Sequence, residues 1–278
     1  MYDEQSHDGR ASSLGLLLLL ALAVVAFPRC ATRKQADVTG FADAAKQYAH
    51  GQRLLARGKR LAASDVFGSV QYQSPDERKT LEPLVRLGLA DATFYQSDGI
   101  NLIDARSLYL DFVTLYLDHP LAPYAQFQAG MCSLRQASHP AKDQTLTYRA
   151  VEDFHEVERR FPASIYAGAA RTMVRVAEAH LAEHEFIVAR FYQSKKEWIA
   201  AADRYRTVIE RYPDFGEREK VYFHLAETLL SADNPAEGKA YLDKLVNDFP
   251  AGRYADMARK ELRRFRAGAG TDVARSPP

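Results

Sequence analysis

After residue 42 the apolar positions of this chain recur at helical spacing, and its β-branched runs are too short to read as strands. Within that pattern one arrangement returns five times: a small residue, an aromatic or Leu four positions on, and a further apolar residue three beyond. The instances are Ala63/Phe67/Val70, Ala105/Tyr109/Phe112, Ala150/Phe154/Val157, Ala201/Tyr205/Val208 and Gly238/Leu242/Leu245. Pro75, Pro162, Pro213 and Pro250 follow four of them, and Leu117 stands at that place in the second. Positions i and i+4 share one helical stripe. A small residue there lets a neighbouring helix approach, and the aromatic fills the space beyond. Stopped by Pro, such a stripe is the second helix of a tetratricopeptide-type pair, whose unit is about 34 residues. The wider spacing here implies insertions. The expected fold is all-α: an α-solenoid of five tetratricopeptide-type helix pairs with a C-terminal capping helix. Scaffolds of this kind bind other polypeptides rather than transform small molecules.

The pairs can be followed along the chain. The first carries Tyr48, Gly51 and Leu55, reverses at Gly58, a site for a left-handed residue, and returns through Ala63 and Phe67. The second starts near Leu84, carries Ala90, Phe94 and Tyr95, turns at Gly99 and returns over Ala105 to Tyr116. Tyr124-Ala125 opens the third, which holds an insertion over Gln136 to Thr145, with Asp143 placed to cap the helix after it. Ser164 to Gln193 contains no Pro and only Gly168, so it predicts an unusually long helix opening the fourth. Trp198 then begins a helix and is expected to be buried between helices. The fifth pairs Val221–Leu230 with Ala236–Phe249 across Asn234-Pro235, and Gly252 to Phe265 supplies the cap. The resulting division is 1–30 leader, 31–42 polar tether, 43–265 solenoid and 266–278 disordered tail.

Composition narrows the function. Lys+Arg (37) and Asp+Glu (36) nearly cancel, which removes the electrostatic footprint of a nucleic-acid binder. Two cysteines, Cys30 and Cys132, are too few for a disulfide framework, and Cys132 in a helical stretch reads as a small buried hydrophobe. The apolar run Leu14 to Phe27 is shorter than the ~20 residues that span a bilayer and suits a signal-peptide core. Cys30, shortly after it, suggests a lipoprotein whose mature N-terminus is a lipidated cysteine. Phe27-Pro28-Arg29 stand where such processing sites carry small residues, so an uncleaved anchor or a coincidental cysteine stays open. At ~0.8 kcal/mol per buried methylene, one acyl chain holds marginally and two hold durably.

Several stretches are more specific than a generic repeat: His119-Pro120-Leu121-Ala122-Pro123-Tyr124-Ala125 leading to Phe127 and Gly130, Lys142-Asp143-Gln144-Thr145, and Ser164-x-Tyr166-Ala167 after Phe161-Pro162. Leu181-Ala182-x-x-Glu185-x-x-Val188-Ala189-x-Phe191-Tyr192, with Ala201-Ala202-x-Arg204 and Tyr212-Pro213, is the most telling. Over roughly residues 42 to 250 the chain resembles the BamD family of outer-membrane assembly lipoproteins, also called competence lipoproteins. Lys142 replaces that family's Arg, and Arg29 departs from its processing site. The resemblance implies no reaction and no cofactor. It implies a lipid-anchored protein at the periplasmic face of the outer membrane. Its partners would be a BamA-like β-barrel insertase, unfolded outer-membrane protein clients and other assembly lipoproteins. Another periplasmic repeat lipoprotein, such as a pilus-assembly or envelope-division scaffold, is the rival within binding proteins.

Candidate sites come from that role. Tyr48, Gln52 and Leu55, with Phe94 and Tyr95 from the second pair, would line a peptide groove beside the cations Arg53, Arg57, Lys59 and Arg60. A barrel client ends in an aromatic residue with a free carboxylate, which such a groove suits. Cations also collect at a helix C-terminus because the dipole favours them there. Arg204 matches a family arginine implicated in partner docking, and a solvated helix arginine is the alternative. His180-Leu-Ala-Glu183-His184 has the spacing of an inverted zinc-protease motif; no distal carboxylate ligand accompanies it, so a zinc hydrolase is the remote reading.

Overall fold

A computed structural model describes residues 43–273, with side chains through Phe265. Among the described residues there are eleven helices and no strand. They are α1 (Ala44–Ala56), α2 (Arg60–Gly68), α3 (Pro75–Phe94), α4 (Gly99–Leu115), α5 (Ala122–Gln136), α6 (Thr145–Arg160), α7 (Ile165–Ser194), α8 (Trp198–Arg211), α9 (Arg218–Ser231), α10 (Pro235–Asp248) and α11 (Arg253–Val273). Each packs on its neighbours in the chain, and α1 also meets α3, α5 meets α7 and α9 meets α11. That is the contact pattern of an all-α helical-repeat solenoid, five pairs and a cap.

The five stripes point inward. Ala63, Ala105, Ala150 and Ala201 are fully buried, as are Tyr109, Phe154, Tyr205 and Leu242, with Phe67 only 2% exposed. The small residues admit the rings at close range. A Cβ on Gly51 would stand 2.6 Å from the Phe67 ring, and one on Gly88 would stand 2.8 Å from it, so this ring is gripped by glycines of α1 and α3. Gly130 of α5 meets Phe154 of α6 in the same way, at 2.6 Å. A polar key accompanies that contact. Asp153 takes a two-pronged bond from Arg106 (2.9 and 2.7 Å) and one from Ser133, and its backbone carbonyl accepts from Gln126. These bonds offset the cost of burying an acid between helices.

Reversals within the pairs use one residue of positive φ: Gly58 at 70°, Ser97 at 67°, Lys196 at 62° and Asp233 at 59°. Gly99 is therefore not the turn residue expected of it; it opens α4 behind Asp98, whose carboxylate accepts from the Asn101 N–H. The third pair has no such tight turn and runs instead through 137–144. Gln144, not the expected Asp143, is the cap residue of α6; Asp143 stands one position before it and accepts from the Thr145 N–H at 3.0 Å.

Two boundaries and one burial differ from expectation. α3 begins at Pro75, well before Leu84, because Ser74 accepts from the Glu77 N–H while Glu77 reaches back to the Gln73 N–H. Its exposed first turns carry no apolar stripe to betray them. α11 continues past Phe265 to Val273, into the stretch read as a disordered tail; 274–278 lie outside the described residues. Trp198 is half-buried, lining a shallow pocket with Arg190, Gln193 and Glu227. The long helix expected from Ser164 is α7, 30 residues capped by the Ser164 hydroxyl. No described helix is long and apolar enough to cross a membrane.

Candidate functional site

The first helices of four successive pairs together line one cleft of about 260 Å³. Its walls are Tyr48 and Gln52 from α1, Leu84, Leu87, Gly88 and Asp91 from α3, Leu121 and Tyr124 at the start of α5, and Tyr166 from α7. Helical spacing puts Tyr48 and Gln52 on one face, where the Gln52 amide donates to the Tyr48 hydroxyl at 3.0 Å. The floor is acidic. Asp91 accepts from the Tyr109 hydroxyl at 2.6 Å and from the Tyr124 hydroxyl at 2.8 Å. Burial raises its pKa while those two bonds pull it down, and burial wins. Burial likewise raises the Tyr48 phenol, with Asp91 adding to the effect. Tyr124 stacks edge-on to Tyr109 and Tyr166, and Tyr166 in turn touches Phe127, so the cleft wall continues into the α5–α6 core. An aromatic cleft with an acid in its floor suits rings and N–H donors and repels a carboxylate.

The expected groove residues separate in three dimensions. Tyr48 and Gln52 are in the cleft, and Leu55 is half-buried on α1 outside its lining. Phe94 does not line a groove: it is 2% exposed, edge-on to Tyr109, with the Arg135 guanidinium 4.0 Å over its ring. Tyr95 is 39% exposed and packs on Phe94 rather than on the cleft. Arg53, Arg57, Lys59 and Arg60 are exposed around the α1–α2 turn. Arg53 and Arg57 sit at the C-terminal end of α1, where the dipole favours them, whereas Arg60 opens α2, where it does not.

Asp91, Tyr124 and Tyr166 are cleft residues that the pattern alone did not single out. One signal was available for Asp91: a lone acid amid small apolar residues, Gly88-Leu89-Ala90-Asp91-Ala92.

Arg204 lies on α8 and donates to Glu185 of α7 at 2.9 Å; the acid's side chain is 7% exposed and the arginine's 45%. The bond raises the arginine's pKa. The histidines of the protease-like motif have another occupation. His180 Nε2 is 2.8 Å from the Ser138 carbonyl and His184 Nδ1 is 2.6 Å from the Pro140 carbonyl, so both imidazoles donate to the backbone of the 137–144 insertion and hold it on α7. Cys132 is buried and free, and burial pushes its thiol up to about 12. Cys30 lies outside the described residues.

A family model described as the YfiO outer membrane lipoprotein matches residues 42–231, more than half of the chain. The chain belongs to that family. A tetratricopeptide-repeat model matches residues 220–251, the α9–α10 pair. Similar proteins include several named outer membrane protein assembly factor BamD. That of Rickettsia prowazekii is 24% identical over 249 residues, covering 89% of this chain and 97% of the relative. That of Caulobacter vibrioides is 28% identical, covering 76% and 68%, and that of Neisseria gonorrhoeae 27%, covering 87% and 94%. Family membership and these names together support association with the outer membrane and a part in outer-membrane protein assembly. The YfiO match takes in α1 through α9 and therefore every residue of the cleft and the Arg204–Glu185 pair.

Proposed function

We propose that this protein is a non-enzymatic component of the outer-membrane β-barrel assembly machinery. It works at the periplasmic face, held to the membrane through a lipid on Cys30. It docks on a BamA-like barrel insertase through the surface that includes Arg204, alongside other assembly lipoproteins, and receives unfolded barrel clients at the α1–α7 cleft. The observation that carries the reading is the family match across the nine helices that hold both features.

Cleft chemistry supports a division of labour in client capture. A client's aromatic side chain and backbone N–H groups suit the tyrosine walls and the Asp91 acceptor. Its terminal carboxylate, unwelcome beside Asp91, belongs with Arg53, Arg57 and Arg60. Affinity purification of the full chain from detergent-solubilised envelopes tests the assignment. Recovery of a large barrel insertase in stoichiometric amount is expected. Recovery of pilus or division proteins without it would overturn the reading. For client capture, Arg57→Glu with Arg60→Glu should weaken binding of a client's C-terminal peptide, and unchanged affinity would remove that part of the proposal.

A further inference from the structure

The tight turns inside the first, second, fourth and fifth pairs share one plan. Each puts a residue of positive φ two positions before the returning helix: Gly58, Ser97, Lys196 and Asp233, with φ between 59° and 70°. Glycine takes that conformation freely, and short polar residues tolerate it by bonding locally, as the Ser97 hydroxyl does to the Tyr95 carbonyl. A lysine gains neither advantage. The second residue of the returning helix varies too: Leu61, Ile100 and Ile199 are exposed aliphatics, and Ala236 stands at that place in the fifth pair. Among these four turns only the α7–α8 turn joins a cation on the left-handed residue to a large exposed aliphatic, with Ile199 78% exposed. Across the turn, Phe191 at the end of α7 is 57% exposed, and the Lys195 ammonium stands 5.8 Å from its ring centre. Lys195 and Lys196 are exposed between these groups, Trp198 is half-buried beside Ile199, and Glu197 is the acid of the turn.

Single exposed apolar side chains are ordinary. A phenyl, an indole and a branched aliphatic set around two ammonium groups at a hairpin tip are the composition of a membrane-surface contact. The apolar groups enter the edge of the hydrocarbon, the indole sits at headgroup level, and the lysine stems follow them while the ammoniums stay among the phosphates. We infer that the α7–α8 tip is a second membrane contact, separate from the N-terminal lipid, and that it lies on an anionic phospholipid surface. Phe191 and Ile199 come from two different helices on the two sides of the turn, which suits a surface met end-on better than a peptide held in a cleft. Outer-membrane association keeps such a surface within reach. With the lipid proposed on Cys30, the tip gives two points of attachment and so fixes which way the solenoid faces. That consequence rests on the proposed lipid; the contact itself needs only phospholipid and stands apart from the docking and client readings.

Trp198 is the chain's only tryptophan, so its emission reports on the tip directly. The full-length protein is reconstituted into vesicles of phosphatidylethanolamine and phosphatidylglycerol whose acyl chains carry bromine, a contact quencher of indole. Trp198 emission should be quenched relative to unbrominated vesicles, and added salt should weaken the quenching. Phe191→Ser with Ile199→Ser should lose most of it, and so should Lys195→Gln with Lys196→Gln. Lys196→Gly is the sharpest variant. Glycine suits the left-handed residue, so the melting temperature should stay level or rise while quenching falls. A lysine placed there for the fold alone would not give that pair of responses. Emission untouched by brominated lipid would overturn the inference, and so would equal quenching in wild type and the tip variants, since the anchor alone would then set the distance. A Trp198 shift on adding a client's C-terminal peptide, without quenching by lipid, would assign the tip to clients and overturn it too. Recovery of a barrel insertase by the same full-length protein is scored separately, so failure of this contact leaves the assembly reading standing.

Discussion

In the α1–α7 cleft the acid Asp91 accepts from two phenols, Tyr109 and Tyr124, whereas on α7 the acid Glu185 is taken by one guanidinium, that of Arg204, whose side chain stays 45% exposed. Asp91 ties α3 to α4 and α5 and shapes a cleft wall from within. Glu185 instead holds in place a cation that solvent reaches. What separates the two clusters is the exposure of the acid's partners.

The cleft wall continues through Tyr166 and Phe127 into the α5–α6 packing around Phe154, so the largest effect should come from removing that packing. Phe154→Ala empties the space against Gly130 and should cost about 3–5 kcal/mol. Calorimetry should show the loss, and client and partner binding should weaken together. If only one weakens, the clusters are mechanically independent. Gly130→Val, which drives a side chain into the same ring, should cost about 1–3 kcal/mol. Next, Tyr124→Phe leaves Asp91 with one donor fewer and should lose about 1–2 kcal/mol of stability, with partner docking unchanged. A docking defect in that variant would merge the two clusters into one site.

A smaller effect is a pH signature confined to the cleft. Asp91 holds its proton more tightly folded than unfolded, because its pKa is raised by burial. Its contribution to stability is therefore fully present below the unfolded value. It declines as pH climbs from there through the raised folded value. Asp91→Asn should flatten that decline and be at least as stable as wild type at neutral pH; denaturant midpoints across the window would show it, and a steeper decline in the variant would contradict the assignment. Smallest of all, His180→Ala with His184→Ala should release the 137–144 insertion, seen as faster proteolytic nicking there, with melting temperature and both binding activities within error of wild type.

The five helix pairs were readable because each repeats one stripe, and a stripe is a local pattern with a physical meaning at i and i+4. The start of α3 was not, since Asp76 to Lys79 are polar on every side and the capping bonds of Ser74 and Glu77 are their only mark. Tyr48 and Gln52, four apart on α1, share one wall of the cleft, as helical spacing allows. Phe94 does not line it, because it is buried with Leu87, Leu102 and Tyr109, and Arg135 of the next pair covers its ring. The histidines looked like metal ligands for the same reason: their partners are backbone carbonyls of Ser138 and Pro140, and no spacing rule announces a carbonyl. Glu185 and Arg204 could be noted as residues of a family-like stretch, yet their pairing across two helices exists only in the fold.

The central claim, that this stacked scaffold serves outer-membrane barrel assembly by gripping other chains, is tested most directly by depleting the protein from its own cells. Folded barrel proteins in the outer membrane would then be counted by their heat-dependent shift in semi-native electrophoresis. The account predicts that folded barrels fall as the protein is depleted and that unfolded precursors accumulate in the periplasm. Barrel levels that hold steady through complete depletion would contradict it.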